Sequence, residues 1–96
     1  MRDLCRTALQ ALDRAADDRP GQVYEDMVAA VRALVRLRDS LITERRAGRG
    51  TPEHEERLRR VNAVLSMVVG GEYPLVGVRK ERITKARDEV AKLLAA

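Results

Sequence analysis

The side chains able to do chemistry are few. His54, the single histidine, lies in the run Pro52-Glu53-His54-Glu55-Glu56, a mixture of types that could ligate a metal. Neighbouring residues of a helix fan outward instead of converging on one point, and no His-Glu-x-x-His or Cys–His set accompanies the run. It therefore reads as the first turn of a helix whose carboxylates suit the positive end of the dipole. Neither a metal nor a cofactor is expected. Cys5 is the single cysteine, which excludes an internal disulfide framework and a Cys-rich zinc site. With Leu4, Ala8 and Leu9 beside it, it reads as a small hydrophobe on an apolar helix face, the alternative being a reactive or dimer-linking thiol.

General acid–base work needs carboxylates held in a partly buried pocket. The fifteen acids all fall at helix ends or on polar faces, and one His with two Ser offers no nucleophilic triad. Gly70-Gly71 follows a helix and lacks the Gly-Lys-Ser/Thr ending of a phosphate loop. No catalytic residue is assigned. Arg38 and Asn62 are the polar groups expected inside the bundle, and an enzyme that binds an acidic metabolite through them is a third reading.

Arginine is the remaining chemistry. Arg supplies 16 of the 19 basic residues, and the net charge is +4. No segment is a basic tail: the charge is spread as net zero over residues 1 to 20, +2 over 21 to 50, −1 over 51 to 72 and +3 over 73 to 96. Candidate contacts to an anion or to nucleic acid are Arg32 and Arg36 on one flank of a long helix, Arg45, Arg46 and Arg49 at a turn, and Arg79, Lys80 and Arg82 at the start of the last helix. A helix-turn-helix with base-reading polar side chains is absent. Tyr24 and Tyr73 are the whole aromatic content, too little for a base-stacking platform.

These residues must be positioned by helices, because the dominant period is helical. The chain is one domain of 96 residues, 45% apolar and 35% charged, a globular balance. From Gln22 to about Ala47, Met27, Val31, Leu34 and Leu41 form an inward stripe, which Val28, Val35, Leu37 and Ile42 widen beyond the reach of one partner helix. Arg45 and Arg46 suit the negative end of this helix, and Gly48 can close it. Thr51-Pro52 opens the next helix as cap and first residue, and Leu58, Val61, Leu65 and Val68 give its seam. A short turn makes the pair antiparallel, matching positions whose numbers sum to about 99; that places Arg38 opposite Val61, beside Asn62, as a polar core layer.

The flanking segments predict a first helix over residues 3 to 17, with Leu4, Cys5, Ala8, Leu9 and Leu12 on one face, and a last helix over 78 to 94, with Ile83, Ala86, Val90, Leu93 and Leu94 inward. Both ends of the first oppose its dipole, so it depends on tertiary contacts. Val64 to Val69 is β-branched enough to allow a hairpin with Leu75 to Val78, but the helical spacing runs through it.

The expected fold is thus all-α, a small helical bundle built on a central antiparallel hairpin (about 22–47 and 52–70) with flanking N- and C-terminal helices. The expected function is non-catalytic and cytoplasmic, acting through helix-mediated association with itself as a homodimer or with another helical protein. Its interface would comprise Tyr24, Val28, Val35, Ile42, Met67, Val69, Tyr73, Leu75 and Val76. An Arg-mediated nucleic-acid binder of low sequence specificity is the alternative. No membrane partner is expected, because no apolar run nears the roughly 18 residues of a span and no secretory signal pattern follows the polar start at Arg2.

Overall fold

The computed structural model describes residues 2–17, 22–69 and 80–95. Helix takes 91% of them, and none is in a strand. Four helices follow in order: α1 Arg2–Ala16, α2 Val23–Arg46, α3 Pro52–Val69 and α4 Lys80–Ala95. The β-branched run Val64–Val69 is helical, which removes the strand reading there. Residues 70–79, the rest of that supposed hairpin, lie outside the described residues.

The helices close into a ring. α1 packs on α2 and α4, and α3 packs on α2 and α4, while the backbones of the two diagonal pairs stay apart. Contacts between helix ends fix the directions: Arg14 near the end of α1 meets Asp26 near the start of α2, Arg45 meets Glu55 across the α2–α3 turn, and Arg2 and Cys5 at the start of α1 lie beside Leu93 and Leu94 at the end of α4. Each neighbour is therefore antiparallel to the next, the up-down-up-down bundle that short connections favour. The α2–α3 hairpin is antiparallel, as expected, and the terminal helices flank it, α1 against α2 and α4 against α3.

The buried seams show how the four helices pack. α1 buries Cys5, Ala8, Ala11, Leu12, Ala15 and Ala16, and α2 buries Met27, Ala30, Ala33, Leu34, Leu37 and Leu41. Ala11, Ala15, Ala30 and Ala33 look neutral in a hydrophobic pattern, yet small side chains let two helices approach closely. α1 accordingly makes the most extensive of the helix–helix contacts with α2. This draws the inward face of α2 toward the alanines, so that Leu37 is 2% exposed while Val31, assigned to the inward stripe by its spacing, is half-buried. On the other side Leu58, Val61, Val64, Leu65 and Val68 of α3 and Ile83, Ala86, Val90 and Leu93 of α4 complete the core.

The same rotation overturns the polar core layer. Leu37 fills the position expected of Arg38; the Arg38 side chain is 37% exposed with Nη2 at 3.4 Å from Asp39 Oδ1, and Asn62 is exposed. Glu55 reaches across the turn to Arg45 at 3.6 Å, and within α4 Lys92 meets Glu89 at 3.3 Å.

Helix ends follow local chemistry. At the C-terminus of α2, Arg49 N–H donates to the Glu44 carbonyl (2.9 Å) and Gly48 N–H to that of Arg45 (3.1 Å), the paired bonds of a Schellman motif. The motif needs a left-handed residue, and Gly48 has φ 76°. Thr51 caps α3: its Oγ1 accepts the His54 N–H at 3.2 Å.

Candidate functional site

The bundle spans 44 × 28 × 17 Å, two helices deep in its thinnest direction, since packed helices lie about 8–10 Å apart. Every helix therefore keeps an outer face, and that of α2 is unusual. Tyr24, Val28, Val31, Val35, Arg38 and Ile42 are spaced 4, 3, 4, 3 and 4 residues apart, the interval of a coiled-coil seam. The buried residues Met27, Ala30, Leu34, Leu37 and Leu41 repeat at 3, 4, 3 and 4 and face the helix's own bundle. α2 thus carries two seams. At about 100° per residue, the outer one lies roughly opposite Asp26, the residue that ties α2 to α1.

Exposure along the outer seam is graded. Tyr24 is 55% exposed, and it is the exposed large hydrophobic side chain among the described residues. Val28, Val31, Val35 and Ile42 are half-buried, with Val31, Val35 and Ile42 resting against the edge of the core. Met67, expected at the same interface, is also half-buried against the core, but it occupies α3. Among the described residues, the apolar surface expected from the sequence takes the form of this stripe together with Met67. The Val69 side chain and Tyr73, Leu75 and Val76 lie outside the described residues.

The polar margin of the seam is ordered by charge. One position beyond Tyr24, Val31 and Arg38 come Glu25, Arg32 and Asp39, and Arg46 continues the same row. The row reads acid, base, acid, base at heptad spacing.

The arginine clusters fare differently. Arg49 is held by a two-pronged contact to Glu44, Nε to Oε2 at 2.7 Å and Nη2 to Oε1 at 3.2 Å. This guanidinium draws the Glu44 carboxyl below its usual range. Arg45 lies 3.6 Å from Glu55. Glu56 takes both Arg59 and Arg60 and is likewise lowered. Arg32, Arg36, Arg46 and Arg82 are exposed, and Arg79 and the Lys80 side chain lie outside the described residues. The turn cluster is therefore largely answered by carboxylates, and Arg32, Arg36 and Arg46 remain toward solvent on α2.

A cavity of about 60 Å³ opens where the first turns of α1 meet the last turns of α4, lined by Arg2, Cys5, Leu37, Arg57, Val61, Leu93 and Leu94. That is room for a few waters, far below the several hundred Å³ of a metabolite site. Burial pushes the Cys5 thiol up, and Arg57 opposes the shift only in part, so the thiol stays protonated and unreactive at neutral pH. Among the described residues no three His, Cys, Asp or Glu side chains gather as a metal site. His54 Nδ1 is buried without a hydrogen-bond partner there, one histidine nitrogen without companions. No described helix is long and apolar enough to cross a membrane.

Taken together, fold and surface define an up-down-up-down four-helix bundle whose second helix carries a partly exposed apolar row. No protein-family model, curated protein or solved structure matches the chain.

Proposed function

We propose that the protein works without catalysis, by helix-mediated association through the outer seam of α2. The observation that carries this reading is the half-exposed apolar row Tyr24, Val28, Val31, Val35 and Ile42 at coiled-coil spacing. Spacing of this kind creates holes for the knobs of a facing helix, and a surface helix with no partner there has no use for it. Self-association is the simplest outcome, because the same seam is present on every copy.

The test is sedimentation of the wild-type chain across a concentration series, beside Val28→Lys. The wild type is expected to gain mass with concentration. The variant, whose lysine can reach solvent along the helix surface, is expected to stay monomeric at unchanged helix content. A wild-type chain monomeric at every concentration overturns the proposal.

A second reading rests on Arg32, Arg36 and Arg46, exposed along α2. Non-specific phosphate binding by these side chains would produce a gel shift of nucleic acid at low salt that fades steeply as salt rises, and Arg32→Ala with Arg36→Ala would abolish it.

A further inference from the structure

We infer that the occupant of the outer seam is α2 of a second copy, running antiparallel, with residues i and j facing each other where their numbers sum to 59. The inference rests on the association reading above and adds the partner, its direction and its register. Three features of the seam select them.

Direction comes first. A parallel pair would stack Arg38 on its own image in the middle of the contact, placing two like charges side by side in a seam that is otherwise apolar. An antiparallel two-fold arrangement offsets the two arginines.

Register is then set by the charged margin, because in an antiparallel pair this row meets its own image. Alignment of the whole seam on itself, Tyr24 against Ile42 and Val31 against Val35 of the second copy, brings Glu25 toward Asp39 and Arg32 toward Arg32: every pair is alike in sign. Sliding by one heptad removes the conflict in either direction. One slide pairs Arg32 with Asp39 but puts Val35 and Arg38 of both copies at the two-fold axis, with two guanidinium groups close together at the centre. The other slide pairs Tyr24 with Val35 and Val28 with Val31, twice each by symmetry. All four layers are then apolar, Arg38 falls outside them, and Glu25 comes opposite Arg32 at both margins.

This last arrangement covers Tyr24, the 55% exposed aromatic. It also has the anatomy of a working interface, with an apolar centre, aromatic anchors and a charged rim. Burial of valines and tyrosines outweighs rim ion pairs worth a few tenths of a kcal/mol each, so the apolar register wins over the more highly charged one. The contact is short, and a weak, reversible dimer is expected.

Cross-linking tests the geometry directly. In a Cys5→Ala background, Tyr24→Cys and Val35→Cys are prepared as separate chains and treated with a short bis-maleimide. In the inferred register, equal positions of the two copies lie about 16 Å apart along the axis, eleven residues at roughly 1.5 Å each. Neither variant alone is then expected to cross-link, whereas their mixture should. Cross-linking of Tyr24→Cys alone would establish a parallel pair, and cross-linking of Val35→Cys alone would establish another antiparallel register. Either result overturns this inference and leaves the association reading standing. A wild-type chain that sediments as a monomer removes both.

Charge reversal gives an independent readout that keeps the tyrosine. Glu25→Arg should raise the dimer dissociation constant about tenfold, and adding Arg32→Glu in the same chain should restore it. Positions 25 and 32 are too far apart on one helix to pair with each other, so rescue can come only from the second copy. Weakening without rescue would sink the register.

Discussion

Arg14 Nε lies 3.2 Å from Asp26 Oδ1, joining the last turn of α1 to the first turn of α2. Asp26 is the buried charged residue among those described, 6% exposed, and as an acid in the first turn of α2 it also matches the positive end of that helix. The pair ties α1, a helix expected from its sequence to depend on tertiary contacts, to its neighbour.

Breaking this pair should cost stability. Arg14→Ala removes one partner of the buried Asp26 carboxylate and should destabilise the bundle by about 1–2 kcal/mol, allowing for the half-exposed guanidinium. Thermal melting followed by circular dichroism should fall by several degrees for a domain of this size. An unchanged midpoint would mean that the pair is incidental.

The exchange of Val31 for Leu37 on the inward face has a direct consequence. Leu37→Ala should cost about 2–5 kcal/mol, as for a fully buried leucine. Val31→Ala should cost well under half as much in the monomer, because its side chain is half-buried. Equal losses in urea unfolding would restore Val31 to the core and undo the rotation of α2 inferred from the alanines.

Gly48 isolates a backbone effect. A Cβ built there meets nothing within 4 Å, so Gly48→Ala should lose about 1 kcal/mol through its positive φ alone, and Gly48→Asn should lose less. A neutral Gly48→Ala would show that the turn can close in another way.

The pH dependence follows from three carboxylates. Glu44 is lowered by its bond to Arg49; Glu53 by backbone N–H and the Thr51 hydroxyl, which donates to it; and Glu56 by Arg60 and Arg59. A group whose folded pKa is depressed contributes stability that is present above its unfolded value, about 4.3 for glutamate, and lost as pH falls through the folded one. Melting temperature should therefore be nearly flat from neutrality to about pH 5 and drop below that. Glu53 and Glu56 are exposed and Glu44 is partly so, so the drop should be modest and should shrink in high salt. A midpoint that rises on acidification contradicts the assignment.

Cys5 should behave as a core residue. Native protein should react slowly with a disulfide reagent such as Ellman's and rapidly once unfolded, because burial both raises the thiol pKa and blocks access. Fast native reaction would instead favour a redox-active thiol.

Much of the architecture was legible without coordinates. α2 and α3 were expected at 22–47 and 52–70 and occur at Val23–Arg46 and Pro52–Val69, because Gly48, Thr51 and Pro52 are strong local signals that act within a few residues. The Arg45–Glu55 contact, whose numbers sum to 100, lies within one residue of the expected register. What escaped was tertiary. Ala30 and Ala33 contribute little to hydrophobic periodicity, yet their small size decides how closely α1 approaches and hence which way α2 turns. Arg38 and Asn62 were placed inside by a register correct in translation and wrong in rotation. The Arg14–Asp26 pair joins residues twelve positions apart, a separation that no helix repeat marks. Val28, Val35 and Ile42 widen the stripe in the sequence together with Leu37, which the structure turns inward. Val31 joins them only once the inward face of α2 is known.

The cavity that Arg2 and Cys5 share with Leu93 and Leu94 brings the opening and closing turns of the bundle side by side. A chain that enters and leaves a fold at one place can be grafted into a surface loop of a host without stretching either. A short bridge across that gap would likewise let the polypeptide be reopened at Arg49, giving a circular permutant with its four helices in the same ring and a new beginning at α3.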